Sequence, residues 1–295
     1  MAQAVEDEGR PVSAWEMTAT AAGVPARRRV VGPGLVLAGG FLALVIVVSL
    51  LAPVVAPYDP IRQDLSLKIA GPSPQHLLGT DNLGRDVLSR LIWGARPALI
   101  GVVVAVGTAS VIGLPWGLVA GYAGGLADLV LMRIADALLV LPGLVLAIAI
   151  TGSLGPSLSS AMVAVGFIFS PVVARVMRSG VLTVRDREYV VVSRMYGLPP
   201  RHRMLRHVLP NALSPVVIQI TLLAGLSLLV ETGLGFLGIG VQPPQPSWGD
   251  SLASSYQFIL VAPTATLAPG ITVVLAVLAI YRLGDALRNR LDIPA

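Results

Sequence analysis

The chain has 295 residues, 55% of them hydrophobic and only 13% charged. So few charges cannot cover a soluble domain of this length, which makes the bilayer the expected solvent. Cysteine is absent, which excludes disulfides, thiolate metal sites and thiol catalysis, and the 21 basic residues are all Arg except Lys68. In a membrane chain the placement of those arginines carries the information, and the net charge of +5 does not point to a nucleic-acid partner.

Residues 1–29 are rich in Ala and charge without a periodic apolar pattern and are expected to form a disordered tail. A helix needs about 20 mostly apolar residues to cross the hydrocarbon core. From Val30 to Tyr58 no residue is charged, which places a first span at about 33–56. Its apolar run is longer than the roughly 7–15 residues of a signal-peptide core, so it is expected to stay in the protein. A connecting segment continues to residue 93. The uncharged stretch Pro97–Ala127 gives a second span at about 97–120. Ala137–Ala174, broken by "GSLGPS" at 152–157, divides into a third at about 128–151 and a fourth at about 157–177. A fifth and a sixth follow at about 213–238 and 262–284, before a short tail at 286–295. The expected fold is an all-α polytopic membrane protein with six transmembrane helices.

Orientation follows the distribution of Arg and Lys between the two sides. With the N-terminus inside, the inner segments hold Arg10, Arg27, Arg28, Arg29, Arg133, the eight Arg from Arg175 to Arg206, and Arg282, Arg288 and Arg290. The outer segments keep Arg62, Lys68, Arg85, Arg90 and Arg96, offset by Asp59, Asp64, Asp81 and Asp86. Both termini are therefore expected to be cytoplasmic, and the segment after the first span extracytoplasmic.

Between spans four and five lies "REYVVVSRMYGLPPRHRMLRHVLPN" (187–211), with five Arg and two His. Asp186 is placed to N-cap a helix over 187–196, in which Tyr189, Val192, Ser193 and Tyr196 share a face. Gly197 suits the left-handed position of a Schellman stop, with Leu198 and Pro199 following. Pro200 can open a second helix with Met204, Leu205 and Val208 as its apolar side, and Pro210 would close it. A helix, a glycine turn and a second helix at the membrane surface read equally well in two ways. One is an interfacial element held by anionic headgroups, the other a docking element for a cytoplasmic partner.

Few charges fall within the spans. Arg133 and Asp136, three residues apart, read as an intrahelical pair. Glu231, alone in the outer half of span five, must face another helix or a pathway rather than lipid, and is a candidate pathway-lining or gating residue. Gly113, Gly117, Gly121 and Gly125 recur every fourth residue toward the end of span two. Their stripe lets another backbone approach, either within the chain or across a subunit seam. His76, His202 and His207 lie outside the spans and read as surface histidines rather than metal ligands. Lys68 sits in "LSLKIAG" without the glycine frame of a phosphate-binding loop, so the chain is not expected to be an enzyme that hydrolyses nucleotide.

The basic stretch resembles the cytoplasmic "EAA" loop of permeases of ATP-binding-cassette (ABC) importers, where Glu-Ala-Ala is followed after three residues by Gly and later by Leu-Pro. Gly197 and Leu209–Pro210 match that frame, Glu188–Tyr189 resembles the lead-in used by peptide permeases, and Val191, Val192 and Ser193 replace the triplet. "LLGTDNLGRDVLSRLIWGAR" (77–96) and "ETGLGFLGIGVQPPQPSWGD" (231–250) resemble the segments before span two and after span five in the peptide/nickel permease family. The additional N-terminal span resembles the C-type subunit of dipeptide and oligopeptide importers. The resemblance runs over roughly residues 30–290.

It implies a type I ABC importer permease fold, with a first helix and extracytoplasmic segment at 30–93 and a transmembrane domain at 94–285. Within that domain it implies a coupling loop at 183–212, in which Glu188, Tyr189, Ser193, Arg194, Met195, Tyr196, Gly197, Leu198, Leu209 and Pro210 would meet an ATPase. It also implies residence in the bacterial plasma (inner) membrane. The implied partners are a second, B-type permease, two ATPase subunits that hold the ATP and Mg, and an extracytoplasmic substrate-binding protein. The Pro- and Gly-rich loops at 57–96 and 239–261 read as the docking surface for the last, with Trp248 and Asp250 exposed to it, or as passive rigid connectors. No cofactor is implied on this chain. The cargo would be di- or oligopeptides, with nickel as the alternative inside the family and gradient-driven transport as the alternative outside it.

Overall fold

Residues 33–290 are described by the computed structural model, and the expected N-terminal tail and residues 291–295 lie outside the described residues. The chain forms α1 (Pro33–Leu50), α2 (Val87–Ala123), α3 (Gly125–Val140), α4 (Gly143–Leu154) and α5 (Leu158–Val184). It continues with α6 (Glu188–Met195), α7 (Pro200–Arg203), α8 (Leu209–Phe236), α9 (Trp248–Ser255) and α10 (Pro263–Arg290). Among the described residues the only β pairing is an isolated bridge between Thr80 and Asp86.

Four helices, α2, α5, α8 and α10, are long and apolar enough to cross a bilayer, and α1 is a shorter apolar helix. The third expected span is not one straight helix. Its residues form α3 and α4, which meet at 91°. Pro142 has no N–H and presses its ring on the preceding residue, so Leu141 turns extended (φ −72°, ψ 136°) and α4 restarts at Gly143. Hydropathy does not register that steric break, because residues 137–150 on both sides of Pro142 are uniformly apolar. The second span is also longer than its charge-free run. Asp86 accepts the Ser89 N–H at 2.7 Å, and this cap starts the helix ten residues before Pro97.

Four glycines set the central packing. A Cβ on Gly113 would stand 2.6 Å from the Ser170 carbonyl, on Gly117 2.1 Å from that of Ala174, and on Gly121 2.8 Å from Val181. On the partner helix, Gly166 stands in the same relation to the Ala105 carbonyl, at 2.5 Å. Contacts therefore advance together along α2 and α5, so these two helices run parallel with their backbones touching. The bent pair α3–α4 must then carry the chain back. Gly125 does not continue the stripe: with φ +55° and no neighbour within 4 Å, it serves the turn that opens α3.

The remaining helices wrap this pair. Gly180 of α5 meets the Ala212 backbone of α8, and Gly225 of α8 meets the ring of Tyr281 on α10. α1 is fastened at its end by Arg96 of α2, which donates to the Ser49 carbonyl at 2.6 Å and to that of Leu50 at 3.1 Å. A cation on the last carbonyls of a helix satisfies groups that have no partner inside the helix.

Gly117→Val is expected to lower the melting temperature of the purified protein in detergent, with overpacking costing roughly 1–3 kcal/mol. Gly107→Val, on the same helix but with nothing within 4 Å of its Cβ, should leave it nearly unchanged.

Candidate functional site

The connection from α5 to α8 is a built platform. α6 starts at Glu188 with Arg187 in the capping position and no side-chain cap. Asp186 lies one residue too early to cap it, and its carboxylate instead sits 3.3 Å from Arg185 Nε. At the other end, Gly197 adopts φ +71°, its N–H donates to the Arg194 carbonyl at 3.0 Å, and Leu198 N–H donates to Ser193 at 3.2 Å. Those two bonds are the Schellman stop expected from the sequence.

Pro200 opens α7, but Pro210 does not close the segment. Met204–Val208 forms a π-helical turn in which the Leu209 N–H reaches the Met204 carbonyl, and the chain continues without a break into α8. Pro210 cannot donate, and in a regular helix its ring would strike the carbonyl four residues back; the wider turn relieves both problems. The Asn211 side-chain amide donates to the His207 carbonyl at 2.7 Å. α7, the π turn and α8 thus make one rod that extends span five into the platform.

The inner face of the platform is Val190 and Ser193 on α6 with Val208 from the π turn, packed among Val181, Val184, Ala212 and Val216. Of the four residues expected on one face, only Ser193 points inward. Tyr189 and Val192 are nearly half exposed, and Met195 and Tyr196 are each 82% exposed. Glu188, Arg194, Gly197 and Pro210 are also exposed, while Leu198 and Leu209 are half-buried. Apolar residues occupy both faces of α6, so periodicity could not tell which one the core takes.

Arginines on and just after α5 lock this end of the bundle. Arg185 donates to the Gly121 carbonyl at 2.8 Å, and Arg178 holds Asp128 with two bonds of 2.5 and 2.6 Å. Asp136 pairs with Arg175 at 2.5 Å, not with Arg133 on its own helix, because α3 turns that carboxylate toward α5. Glu231 lies elsewhere. It is 1% exposed, its Cγ is the nearest neighbour a Cβ on Gly101 would meet, and Met162 of α5 closes the same space. Its Oε2 is 3.4 Å from Thr232 Oγ1, and Oε1 has no hydrogen-bond partner among the described residues.

At the opposite end, the two long motifs at 77–96 and 231–250 meet. Arg90, 2% exposed, donates to Asp250 at 2.6 Å and to the Pro60 carbonyl at 3.1 Å. Asp81 holds the backbone and Nε of Arg85, and Asp86 accepts from Ser89 and pairs with His76 at 2.9 Å. Trp248 is not on the surface: it is 2% exposed, donates to the Leu91 carbonyl at 2.9 Å and presses on Gly94. Asp250 is committed to Arg90. Nothing in the local pattern of a Pro-rich loop signals a partner 160 residues away.

The sequence model of the family described as "Binding-protein-dependent transport system inner membrane component" matches residues 113–293. This chain belongs to that family. The match takes in the glycine-packed end of α2, the whole platform and α10. Over 258 residues the chain is 42% identical to the di/tripeptide transport system permease protein DppC of Pseudomonas aeruginosa, covering 85% of each. It is 39% identical over 247 residues to the dipeptide transport system permease protein DppC of Alkalihalophilus pseudofirmus, covering 84% of this chain and 81% of that one. To the glutathione transport system permease protein GsiD of Pectobacterium atrosepticum it is 37% identical over 258 residues, covering 87% and 86%. Among solved structures, an inward-facing conformation of the MetNI methionine ABC transporter superposes with a TM-score of 0.58 at 20% identity, over 68% of this chain and 96% of that one. The shared fold is that of an ABC importer permease.

Asp250→Ala removes the shorter of the two ion pairs of buried Arg90, leaving it Asp81 at 3.6 Å, and is expected to cost roughly 1.5–3 kcal/mol, read as a lowered melting temperature of the purified protein. Asp186→Ala, whose pair with Arg185 is largely in solvent, should change it little.

Proposed function

We propose that this chain is the C-type permease subunit of an ATP-driven importer that brings di- or oligopeptides into the cytoplasm by alternating access. The observation that carries the reading is the platform between α5 and α8. It is anchored by fully buried Val190 and Val208, stopped by Gly197, and it presents Tyr189, Val192, Met195 and Tyr196 outward. An interfacial element held by lipid alone has no need of that anchorage. A surface that must receive a push from an ATPase does, because a floppy loop would absorb the displacement. Val190 and Ser193 pass a push on α6 to α5 and α8, and the continuous rod through the π turn passes it directly to α8.

In this reading α1 and the bent pair count as spans, giving six with both termini cytoplasmic, in the bacterial inner membrane. A B-type permease completes the pathway, two ATPase subunits supply ATP and Mg chemistry that this chain lacks, and an extracytoplasmic binding protein delivers cargo. A gating role for Glu231 belongs to the same proposal. It sits beside α2 and α5, so rocking of those helices changes what surrounds its carboxylate. The peptide cargo is supported by the names of the relatives.

Proteoliposomes containing the chain with its partner subunits are expected to hydrolyse ATP faster when peptide-loaded binding protein is present, and to accumulate the peptide. Stimulation by nickel alone would move the assignment to metal uptake. Gly197→Val, whose β-branched residue is disfavoured at positive φ by about 1–2 kcal/mol, is expected to reduce peptide uptake per ATP at least tenfold while membrane insertion stays normal. Unchanged coupling would remove the mechanical role of the glycine stop.

A further inference from the structure

Five charged side chains carried by α5 and the bent pair α3–α4 converge on one place. Asp128, Arg133 and Asp136 on α3 and Arg175 and Arg178 on α5 line a cavity of about 440 Å³, with Met132 between them. The cavity is a shallow groove, open enough to admit a small polar solute without enclosing it. The cavity opens along one side at the platform end of the bundle, since Arg178 lies six residues before the end of α5, or about 9 Å along its axis. Three guanidinium groups and two carboxylates on membrane helices are too costly to face hydrocarbon. Such groups line water or the path of a polar solute.

The pairing within the cavity is uneven. Asp128 is held by both donors of Arg178 and has little left to offer. Asp136 gives one oxygen to Arg175, and both side chains of that pair remain about half exposed, at 48% and 49%. Arg133 is exposed and forms no ion pair among the described residues. One face therefore offers a carboxylate oxygen and a guanidinium three residues apart on the same helix, with Cβ atoms roughly 5–6 Å apart. The α-ammonium and α-carboxylate of an extended dipeptide are separated by about 7 Å. Both long side chains can adjust over that difference. An anionic headgroup would meet the Asp136 carboxylate beside Arg133, whereas a zwitterion finds one partner for each end.

We propose that this cavity is a peptide-binding stage on the platform side of the pathway. In it Asp136 receives the α-ammonium, Arg133 receives the α-carboxylate, and Arg178 fixes Asp128 out of competition. The proposal rests on the peptide-importer reading above. The chain has no cysteine, so a single thiol can report on the site. Met132→Cys would be assembled into the complete importer with the partners' cysteines replaced, in proteoliposomes that expose the platform side. A neutral, membrane-impermeant thiol reagent is expected to modify the introduced thiol. A saturating free dipeptide should slow that modification at least fivefold, an N-acetylated, C-amidated dipeptide should not, and adding Asp136→Asn should abolish the protection. An unreactive thiol would mean that lipid or the partner permease covers the cavity. Equal rates with and without dipeptide would mean water fills it and peptide does not bind. Either result overturns the site. Dipeptide uptake by the unsubstituted complex separates the two readings: absent uptake removes the importer reading itself, and uptake without protection removes only this site.

Discussion

The contact between the backbones of α2 and α5 sets the geometry of everything else. At Gly117 the Ala174 carbonyl occupies space that any side chain would need, and Gly113, Gly121 and Gly166 repeat the arrangement a turn or more away. Two helices this close behave as one body, and because they run parallel the chain between them must double back. That return is the bent pair α3–α4, whose break at Pro142 turns the second half through 91°. The return in turn brings Asp128 and Asp136 against the arginines of α5.

Charge in this molecule is concentrated at the two ends of the helix bundle, and the two ends differ in strength. Arg90 is buried, with Asp250 at 2.6 Å and Asp81 at 3.6 Å, so separating Arg90 from Asp250 would take a charge-assisted hydrogen bond from a water-poor site, at a cost of roughly 1.5–3 kcal/mol. The Arg175–Asp136 pair is half exposed, and such pairs contribute about 0–1 kcal/mol. The first arrangement is a fixed clasp between the start of α2 and α9. The second can exchange partners at little cost, which is what a site for a passing charged solute requires.

The platform joins these features to a direction of force. Its inner face is part of the same apolar cluster as α5 and α8, so it cannot shift without them. Its outer face carries apolar and aromatic side chains that none of the described residues covers. The π turn at Met204–Val208 keeps the rod continuous where a proline would otherwise have ended it, and mechanical continuity follows from that local detail.

Much of this was legible in the sequence. Apolar runs located the long helices, the Gly-Leu-Pro signal identified the Schellman stop at Gly197, and the four-residue spacing of Gly113, Gly117 and Gly121 announced a close helix contact. These are properties of neighbouring residues along the chain: hydropathy, φ preference and helical periodicity. Other features depend on atoms far apart in sequence. The sequence does not say which backbone fills the glycine groove, which face of α6 the core takes, or that Asp136 pairs across to Arg175 rather than along its own helix. It gives no sign that Trp248, in a polar and Pro-rich loop, is buried against the start of α2, or that Asp250 pairs there with Arg90. Local pattern determined where helices form and stop. Only the tertiary structure decided which surfaces meet, because burial and charge pairing are settled by whichever partner the fold brings within reach.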